Sequence, residues 1–441
     1  MGEEFVTAAI GFAALLGLIA LRAPIGLAMI LTGAAGYLHI VGLAPLASYL
    51  KTTPWHLFAN YTLSVIPLFI LMGSLAERGG LARDLFAAAN ALVGHRRGGM
   101  AMGVIGACTA FGAICGSSVA TTATIGRAAL PELRRYGYEP GFATGTIAVG
   151  GTLGVLIPPS VILVVYGIAT EQNIAKLFMA ALLPGLIAVA FYLVAIAFTV
   201  QRRPDYAPVL QRVGATERWV VIRAVAPILL VALTVLGGIY GGIFTPTESA
   251  SVGVGATLLI GMVRGTLPLR EVLASLRTTA ETTAMIFVIL LGAEIFNAFL
   301  ALSQAPELLA QWIVEQNFPP YGVLVALLAT YILLGAVMDE LAMILLTLPI
   351  FFPIISALDF GMDGEAVALW FGILVLIVVG IGLTAPPIGL NVFVISSLAK
   401  DVPIARTYRG VLPFLAADLL RLALCVLFPA LSLWLVRLWG S

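Results

Sequence analysis

The sequence predicts an all-α polytopic membrane protein whose two halves form an inverted repeat, each half carrying a re-entrant hairpin followed by a broken helix. Three observations point there. Of 441 residues, 61% are hydrophobic and 10% charged, whereas ordinary soluble domains carry about 25% charged residues. Apolar runs long enough to span a bilayer recur along the whole chain. Two of those runs are interrupted by a Pro-Pro pair, and each follows an apolar stretch with a polar break in its middle.

The composition excludes as much as it supports. A mean hydropathy of +1.08 leaves too little polar surface for a soluble enzyme or a disordered scaffold. A formal net charge of +1 gives no global attraction to nucleic acid. The three cysteines, Cys108, Cys115 and Cys425, form no C-x-x-C pair and lie in apolar runs, so they read as small buried hydrophobes. The opening Met-Gly-Glu-Glu is acidic, where a secretory signal needs a basic start, so the first apolar run is expected to be a retained helix.

A helix crossing a hydrocarbon core of roughly 30 Å needs about 20 mainly apolar residues. The runs that meet this are 5–21, 24–43, 57–76, 142–166, 175–200, 220–240, 246–263, 282–302, 366–398 and 412–438. Stretch 83–97 is a further cytoplasmic segment suited to a surface helix, and 201–223 is the longest polar loop and divides the halves.

Loop charge sets orientation. Arg22, Arg78, Arg83, Arg96, Arg97, Arg134 and Arg135 mark one side, and Arg202, Arg203, Arg212, Arg218, Arg223, Arg264, Arg270, Arg277, Lys400, Arg406 and Arg409 continue it. The alternate loops carry no basic residue at 241–247, Glu307 and Glu315 at 303–320, and Asp359, Asp363 and Glu365 at 359–365. The basic side is therefore expected in the cytoplasm and both termini outside.

The stretch 100–131 is flanked by basic loops at both ends and 321–358 by acidic loops at both ends. Each must therefore cross an even number of times or dip in and return. Their breaks, Cys115-Gly116-Ser117-Ser118 and Met338-Asp339-Glu340, place polar groups where only surrounding protein or a water-filled cavity makes irregular backbone affordable. We read two re-entrant hairpins opening to opposite sides, the alternative being two ordinary helices joined at the far surface. After each comes a proline pair among glycines, Pro158-Pro159 after Gly154 and Pro386-Pro387 after Gly382, where the helix should unwind. The tip-to-proline spacing is 41 positions from Ser117 to Pro158 and 47 from Asp339 to Pro386. Such a repeat is the arrangement expected of a secondary transporter, with freed carbonyls and half-helix ends near the midplane.

The polar residues at depth have more than one reading. Ser117, Ser118, Thr121 and Thr122 can offer oxygen to a hard cation or return hydrogen bonds to their own helix. Asp339 needs a partner, which could be a cation, a proton or a basic side chain, with Glu340 expected to face solvent at the tip. Glu248 follows Thr245-Pro246-Thr247 and suits a helix cap. Glu294 could serve as a proton site or an interhelical hydrogen bond, and Asp418 with Arg421 suits an intrahelical pair. His39, His56 and His95 are scattered, and none reads as a metal ligand. No G-x-x-x-x-G-K-[ST] or H-E-x-x-H occurs, so neither ATP binding nor enzyme chemistry has a basis.

At these residues the chain resembles the large membrane subunit of tripartite ATP-independent periplasmic (TRAP) transporters. The resemblance rests on Gly116-Ser117-Ser118-Val119-Ala120-Thr121 with Ile125-Gly126, and on Gly154 to Ser160 with Tyr166-Gly167. It continues through Gly241-Gly242-Ile243-Phe244-Thr245-Pro246-Thr247-Glu248, Asp339 and Pro386-Pro387-Ile388-Gly389-Leu390-Asn391. It implies a multi-pass subunit of the bacterial inner membrane that imports a small organic acid, such as a dicarboxylate, with sodium as coupling ion and no other cofactor. It further implies a periplasmic substrate-binding protein and a small membrane subunit as partners, and an elevator-type movement.

Carried onto this chain, the resemblance implies a first sodium site at Ser117, Ser118, Gly154, Ile157 and Pro159. A second would use Asp339, Gly382, Thr384, Ala385 and Pro387, and substrate would lie near Ser118, Thr121, Ser160 and Asn391. Ala385 stands where relatives often carry Thr, with Thr384 one position earlier, and Cys115 stands where Ser is common. The implied organisation is scaffold helices and a surface segment in 1–99, a first transport half in 100–169, scaffold helices in 170–320, a second transport half in 321–398 and a terminal helix in 399–441. Two rival readings are a stand-alone proton-coupled carrier of organic anions and a membrane scaffold subunit that transports nothing.

Overall fold

The computed structural model describes residues 3–209, 211–212 and 214–439. Residues 1–2, 210, 213 and 440–441, which fall in the expected first, third and last segments, lie outside the described residues. Among those described there are twenty α-helices, two short 3-10 turns and no strand.

Helices α1 (Glu3–Ala20) and α2 (Ile25–Val41) occupy the first two apolar runs, with Pro24 fixing the start of α2. The third run differs from expectation. Residues 43–58 form α3 (Leu43–Phe58), which carries Lys51 and His56 among its apolar residues. A 3-10 turn (Tyr61–Ser64) and α4 (Val65–Arg78) follow, bent 55° from α3. Helix α5 (Leu81–Val93) starts behind left-handed Gly80. It is no free surface segment, because Leu81, Leu85 and Phe86 are buried and it packs on the first hairpin and a later span.

That hairpin is α6 (Gly99–Cys115) and α7 (Ser118–Arg135), joined at Gly116 and Ser117. The first broken helix is α8 (Pro140–Leu156) and α9 (Val161–Ala169), bent by 44°. The long spans α10 (Ile174–Arg202), α11 (Ala215–Tyr240), α12 (Pro246–Val263) and α13 (Leu269–Leu302) follow, with a 3-10 turn at Pro204–Tyr206 between the first two. Helix α13 begins well before residue 282 because its polar first turns are themselves good helix, with Arg277 and Glu281 paired one turn apart at 2.8 Å. The expected acidic loop 303–320 holds a helix, α14 (Ala305–Glu315), opened by Pro306 at a first-turn position.

The second hairpin is α15 (Pro320–Gly335) and α16 (Glu340–Ala357). The second broken helix is α17 (Gly364–Gly382) and α18 (Leu390–Leu398). The last apolar run divides at Phe428 and Pro429 into α19 (Ile404–Leu427) and α20 (Ala430–Trp439), since proline cannot continue the helix.

The first segments of the two broken helices form the centre. Every residue of α8 from Gly141 and of α17 from Ala366 is buried. Burial covers 89% of the best apolar window of α17 but 28% of that of α11, whose Leu229, Leu230 and Leu233 point outward. A helix apolar all round suits the core, whereas a lipid-facing helix need bury only one stripe. Six described helices are long and apolar enough to cross a membrane, or up to eight when each bent pair counts as one span.

Association between apolar helices in lipid depends on close backbone approach more than on release of water. A β-carbon at Gly382 would lie 2.6 Å from the Gly335 carbonyl carbon, so α17 and the second hairpin meet through two glycines. Glycines at 26 and 292 do the same for α2 and α13.

Candidate functional site

The two hairpin tips share a local logic. In the first, Gly116 turns the chain at φ +63°, and extended Ser117 caps α7 by accepting the Ala120 N–H. In the second, Asp339 caps α16, its Oδ1 accepting N–H groups from Leu341 at 3.0 Å and Ala342 at 3.4 Å. Each tip thus ends in a short polar side chain that satisfies the first turn of a returning helix.

Each tip rests on a break. A β-carbon at Gly116 would sit 2.8 Å from the Pro159 carbonyl oxygen, and one at Gly154 would sit 2.4 Å from Thr121 Oγ1 and 2.6 Å from the Ser117 carbonyl oxygen. The Ser117 carbonyl accepts the Thr121 hydroxyl at 2.7 Å, and Ser118 accepts that of Thr122 at 3.0 Å. Ser117, Ser118, Gly154 and Pro159 therefore crowd into one neighbourhood. Ile157 lies in the same break, with α10 pressed against it at Gly185.

On the other side, the Gly389 N–H donates to the Ala336 carbonyl at 3.3 Å, tying the second tip to the second break. Gly389 is left-handed at φ +56°, and both proline pairs, Pro158-Pro159 and Pro386-Pro387, are cis. The Thr384 hydroxyl turns back to its own helix, 3.1 Å from the Ile381 carbonyl. The Pro387 carbonyl already accepts the Tyr408 hydroxyl at 3.0 Å. Asp339 is half-buried, while Gly382, Thr384 and Ala385 are buried.

Glu340 departs from expectation. It does not face solvent: only 8% of it is exposed, and its Oε2 finds no protein hydrogen-bond partner among the described residues. The capping of α16 explains this, since Asp339 takes the outer position and the next residue must enter the helix. Glu248 does cap α12, in a reciprocal capping box with Thr245. Glu294 is exposed on α13, and its backbone carbonyl accepts the Tyr49 hydroxyl of α3 at 3.3 Å.

The four residues assigned to substrate are all fully buried. Asn391 Nδ2 donates to Ser118 Oγ at 2.6 Å and to the Ala148 carbonyl at 3.0 Å. Ser160 caps α9, accepting the Leu163 N–H at 3.5 Å. The structure joins Ser118 and Asn391 directly, whereas Thr121 and Ser160 are satisfied within their own helices.

Sequence reasoning missed the neighbouring polar core. Asp418 and Arg421 do pair one turn apart at 2.8 Å, but both are buried, and Tyr192 donates to the carboxylate at 2.8–2.9 Å. The same hydroxyl lies 3.2 Å from Thr152 Oγ1 of α8. In addition, the Tyr166 hydroxyl of α9 donates to the Ala368 carbonyl of α17 at 2.7 Å, linking the two broken helices. No spacing in the sequence connects Tyr192 with Asp418 or Tyr166 with Ala368.

Comparison with known proteins gives a consistent result. The family described as "Tripartite ATP-independent periplasmic transporter, DctM component" matches residues 12–431. The C4-dicarboxylate TRAP transporter large permease protein DctM of Pseudomonas aeruginosa is 38% identical over 375 residues, covering 85% of this chain and 86% of that protein. The sialic acid TRAP transporter large permease protein SiaM of Vibrio cholerae is 32% identical over 380 residues, covering 86% of this chain and 87% of its own. Among solved structures, the Alcanivorax borkumensis YdaH transporter is similar in fold, with a TM-score of 0.62 at 18% identity over 90% of each chain.

Proposed function

The chain belongs to the tripartite ATP-independent periplasmic transporter family as its DctM component, and from that premise we propose that it is the sodium-coupled subunit that carries a small organic acid across the bacterial inner membrane. The observation that carries this reading is the paired contact of each polar hairpin tip with a proline-broken helix, at Gly116–Pro159 and Ala336–Gly389. Unwound backbone at such points frees carbonyl oxygens for a cation while half-helix ends face an anion.

One sodium ion is assigned to Ser117, Ser118, Gly154, Ile157 and Pro159, and a second to Asp339, Gly382, Thr384, Ala385 and Pro387. Because the Thr384 hydroxyl is turned into its helix and Ala385 has none, the second site relies on backbone oxygens and the Asp339 carboxylate. Substrate is assigned to the space that opens when Asn391 leaves Ser118, flanked by Thr121 and Ser160. Relatives named for a C4-dicarboxylate and for sialic acid support an organic acid as cargo.

The breaks differ in exposure: Pro158 and Pro159 are buried, whereas Pro386 and Pro387 are exposed. The second break is reached through Tyr408, beside Arg406 and Arg409 of the basic face. We read this as a conformation open towards the cytoplasm, with both termini periplasmic. In an elevator movement, 100–169 and 321–398 would travel against scaffold segments 1–99 and 170–320, with 399–441 as the terminal part. A periplasmic binding protein would deliver substrate, and a small membrane subunit would brace the scaffold.

A second reading has one observation in its favour. The buried Glu340 carboxyl suits a proton as its partner, so coupling could be to protons. Uptake into proteoliposomes holding the chain, its small subunit and its binding protein decides between them. The sodium reading expects uptake driven by an inward sodium gradient and abolished in potassium. Uptake under a pH gradient without sodium would replace it by the proton reading.

A further inference from the structure

A cleft of about 1050 Å³ lies on the basic face between the start of α8, the end of α10, the turn Pro204–Tyr206 and the start of α19, and none of the residues assigned to sodium or substrate lines it. Four arginines line it, Arg202, Arg203, Arg406 and Arg409, against two carboxylates, Glu139 and Asp205. Glu139 is already engaged, pairing with Arg406 at 2.6 Å and capping α8. Arg203 is held by Tyr206. Arg202 lies over the Phe198 ring at 4.1 Å and, like Arg409, has no ion pair among the described residues. The cleft therefore keeps two guanidinium groups, Arg202 and Arg409, that are engaged by no carboxylate among the described residues.

Its wall is amphipathic. Phe198 and Leu412 line the same cleft with 51% and 56% of their surfaces exposed, on two helices that continue into the apolar body. Cationic groups at the rim of a membrane domain, with large apolar side chains exposed beside them, match a phosphodiester joined to acyl chains. A soluble anion has no use for the apolar wall. Guanidinium groups bind phosphate oxygens through paired hydrogen bonds, and basic pockets between helices on the cytoplasmic side suit anionic headgroups.

We propose that this cleft is a binding site for an anionic phospholipid of the leaflet on the basic face, its phosphate held by Arg202 and Arg409 and its acyl chains laid over Phe198 and Leu412. The site needs the basic face to be cytoplasmic only for naming the leaflet; it is independent of sodium coupling. Bound there, the lipid bridges the entrance of the first broken helix, α8, to α10 and α19.

The test is a thermal melt of the purified full chain in non-ionic detergent, titrated with dioleoylphosphatidylglycerol, dioleoylphosphatidylcholine or inorganic phosphate. The expected result is a rise in midpoint with phosphatidylglycerol alone. Apparent affinity should fall about fivefold per arginine in Arg202→Gln and Arg409→Gln, whereas Arg96→Gln with Arg97→Gln, which removes two charges elsewhere on the basic face, leaves it unchanged. An equal response to phosphatidylcholine, an equal loss in the Arg96/Arg97 pair, or an equal rise with inorganic phosphate overturns the proposal, the last in favour of a soluble anion site. Native mass spectrometry of the wild-type chain extracted from mixed vesicles of both lipids is independent of how the variants fold. Selective retention of phosphatidylglycerol supports the site, and equal retention overturns it.

Discussion

Asn391 Nδ2 lies 2.6 Å from Ser118 Oγ, joining two side chains 273 positions apart. The same amide nitrogen also donates to the Ala148 carbonyl. One side chain thus ties the second broken helix, α18, to the first turn after the first hairpin tip and to the interior of α8. The two halves of the repeat meet here through polar atoms, as they do at the Tyr166–Ala368 bond. Because Asn391 also sits two positions after left-handed Gly389, movement at the second break must pull on this bond.

Removing the amide should cost more than removing the hydroxyl. Asn391→Ala leaves Ser118 Oγ buried without this donor, at about 1–3 kcal/mol for a group so stranded, and also removes the second bond to the Ala148 carbonyl, which keeps its place in α8. Ser118→Ala removes one partner only, and Asn391 keeps its bond to Ala148, so about 0.5–1.5 kcal/mol is expected. Melting of both variants in the same detergent checks the order. A reversal would mean that the pair is not a joint between the halves.

Gly154 is needed for contact, not for backbone freedom, as its φ lies outside the left-handed region. A β-carbon there would approach Thr121 Oγ1 to 2.4 Å and the Ser117 carbonyl to 2.6 Å. Gly154→Ala should therefore push the first tip off the break, destabilising the chain by about 1–3 kcal/mol and weakening sodium-dependent stabilisation. Gly237→Ala serves as the control, since nothing lies within 4 Å of its β-carbon position. If both variants melt alike, the first tip is not seated on Gly154.

The pair Asp418–Arg421 should behave as a buried charge pair. Losing one member of such a pair costs about 3–5 kcal/mol because the other charge is stranded. Asp418→Ala is expected to fall in that range, while Asp418→Leu combined with Arg421→Met should recover much of the loss. Tyr192→Phe keeps both charges and removes the hydroxyl bonds to the carboxylate and to Thr152, for about 1.5–3 kcal/mol. A double variant no better than Asp418→Ala would show that the two charges do not act as a unit.

Much of the architecture was legible because lipid permits few solutions. Apolar runs gave most spans, and 246–263 coincides with α12. The breaks were legible because Pro-Pro among glycines forbids a continuous helix. Three features lay beyond the sequence pattern for physical reasons. Helix α3 mixes Lys51 and His56 with apolar residues and so lacks the signature of a span. Helix α14 has only 11 residues, too few for a spanning run. Glu340 looked exposed because charge at a hairpin tip usually is, and only the cap made by its neighbour shows why it turns inward. The contacts of the site are between residues distant in sequence, so the hairpin tip could nominate Ser118 and the family resemblance Asn391, but neither could join them.

Sodium titration separates the two assigned cation sites. An ion bound only to the folded chain stabilises it by about 2.7 kcal/mol at one hundred times its dissociation constant. NaCl should therefore raise the melting midpoint where matched KCl does not. Asp339→Asn is the informative variant, because asparagine caps a helix about as well as aspartate and α16 keeps its first turn while the charge is lost. It should retain the fold but lose part of the sodium shift, and Gly154→Ala should lose another part. Glu340→Gln, which removes a buried carboxyl without removing a cap, should leave the sodium shift intact. Loss of the sodium shift in Glu340→Gln with full retention in Asp339→Asn would move the coupling carboxylate by one residue. An equal response to NaCl and KCl would leave the helical architecture standing, remove the support for sodium, and make Glu340 and a pH gradient the next object of measurement.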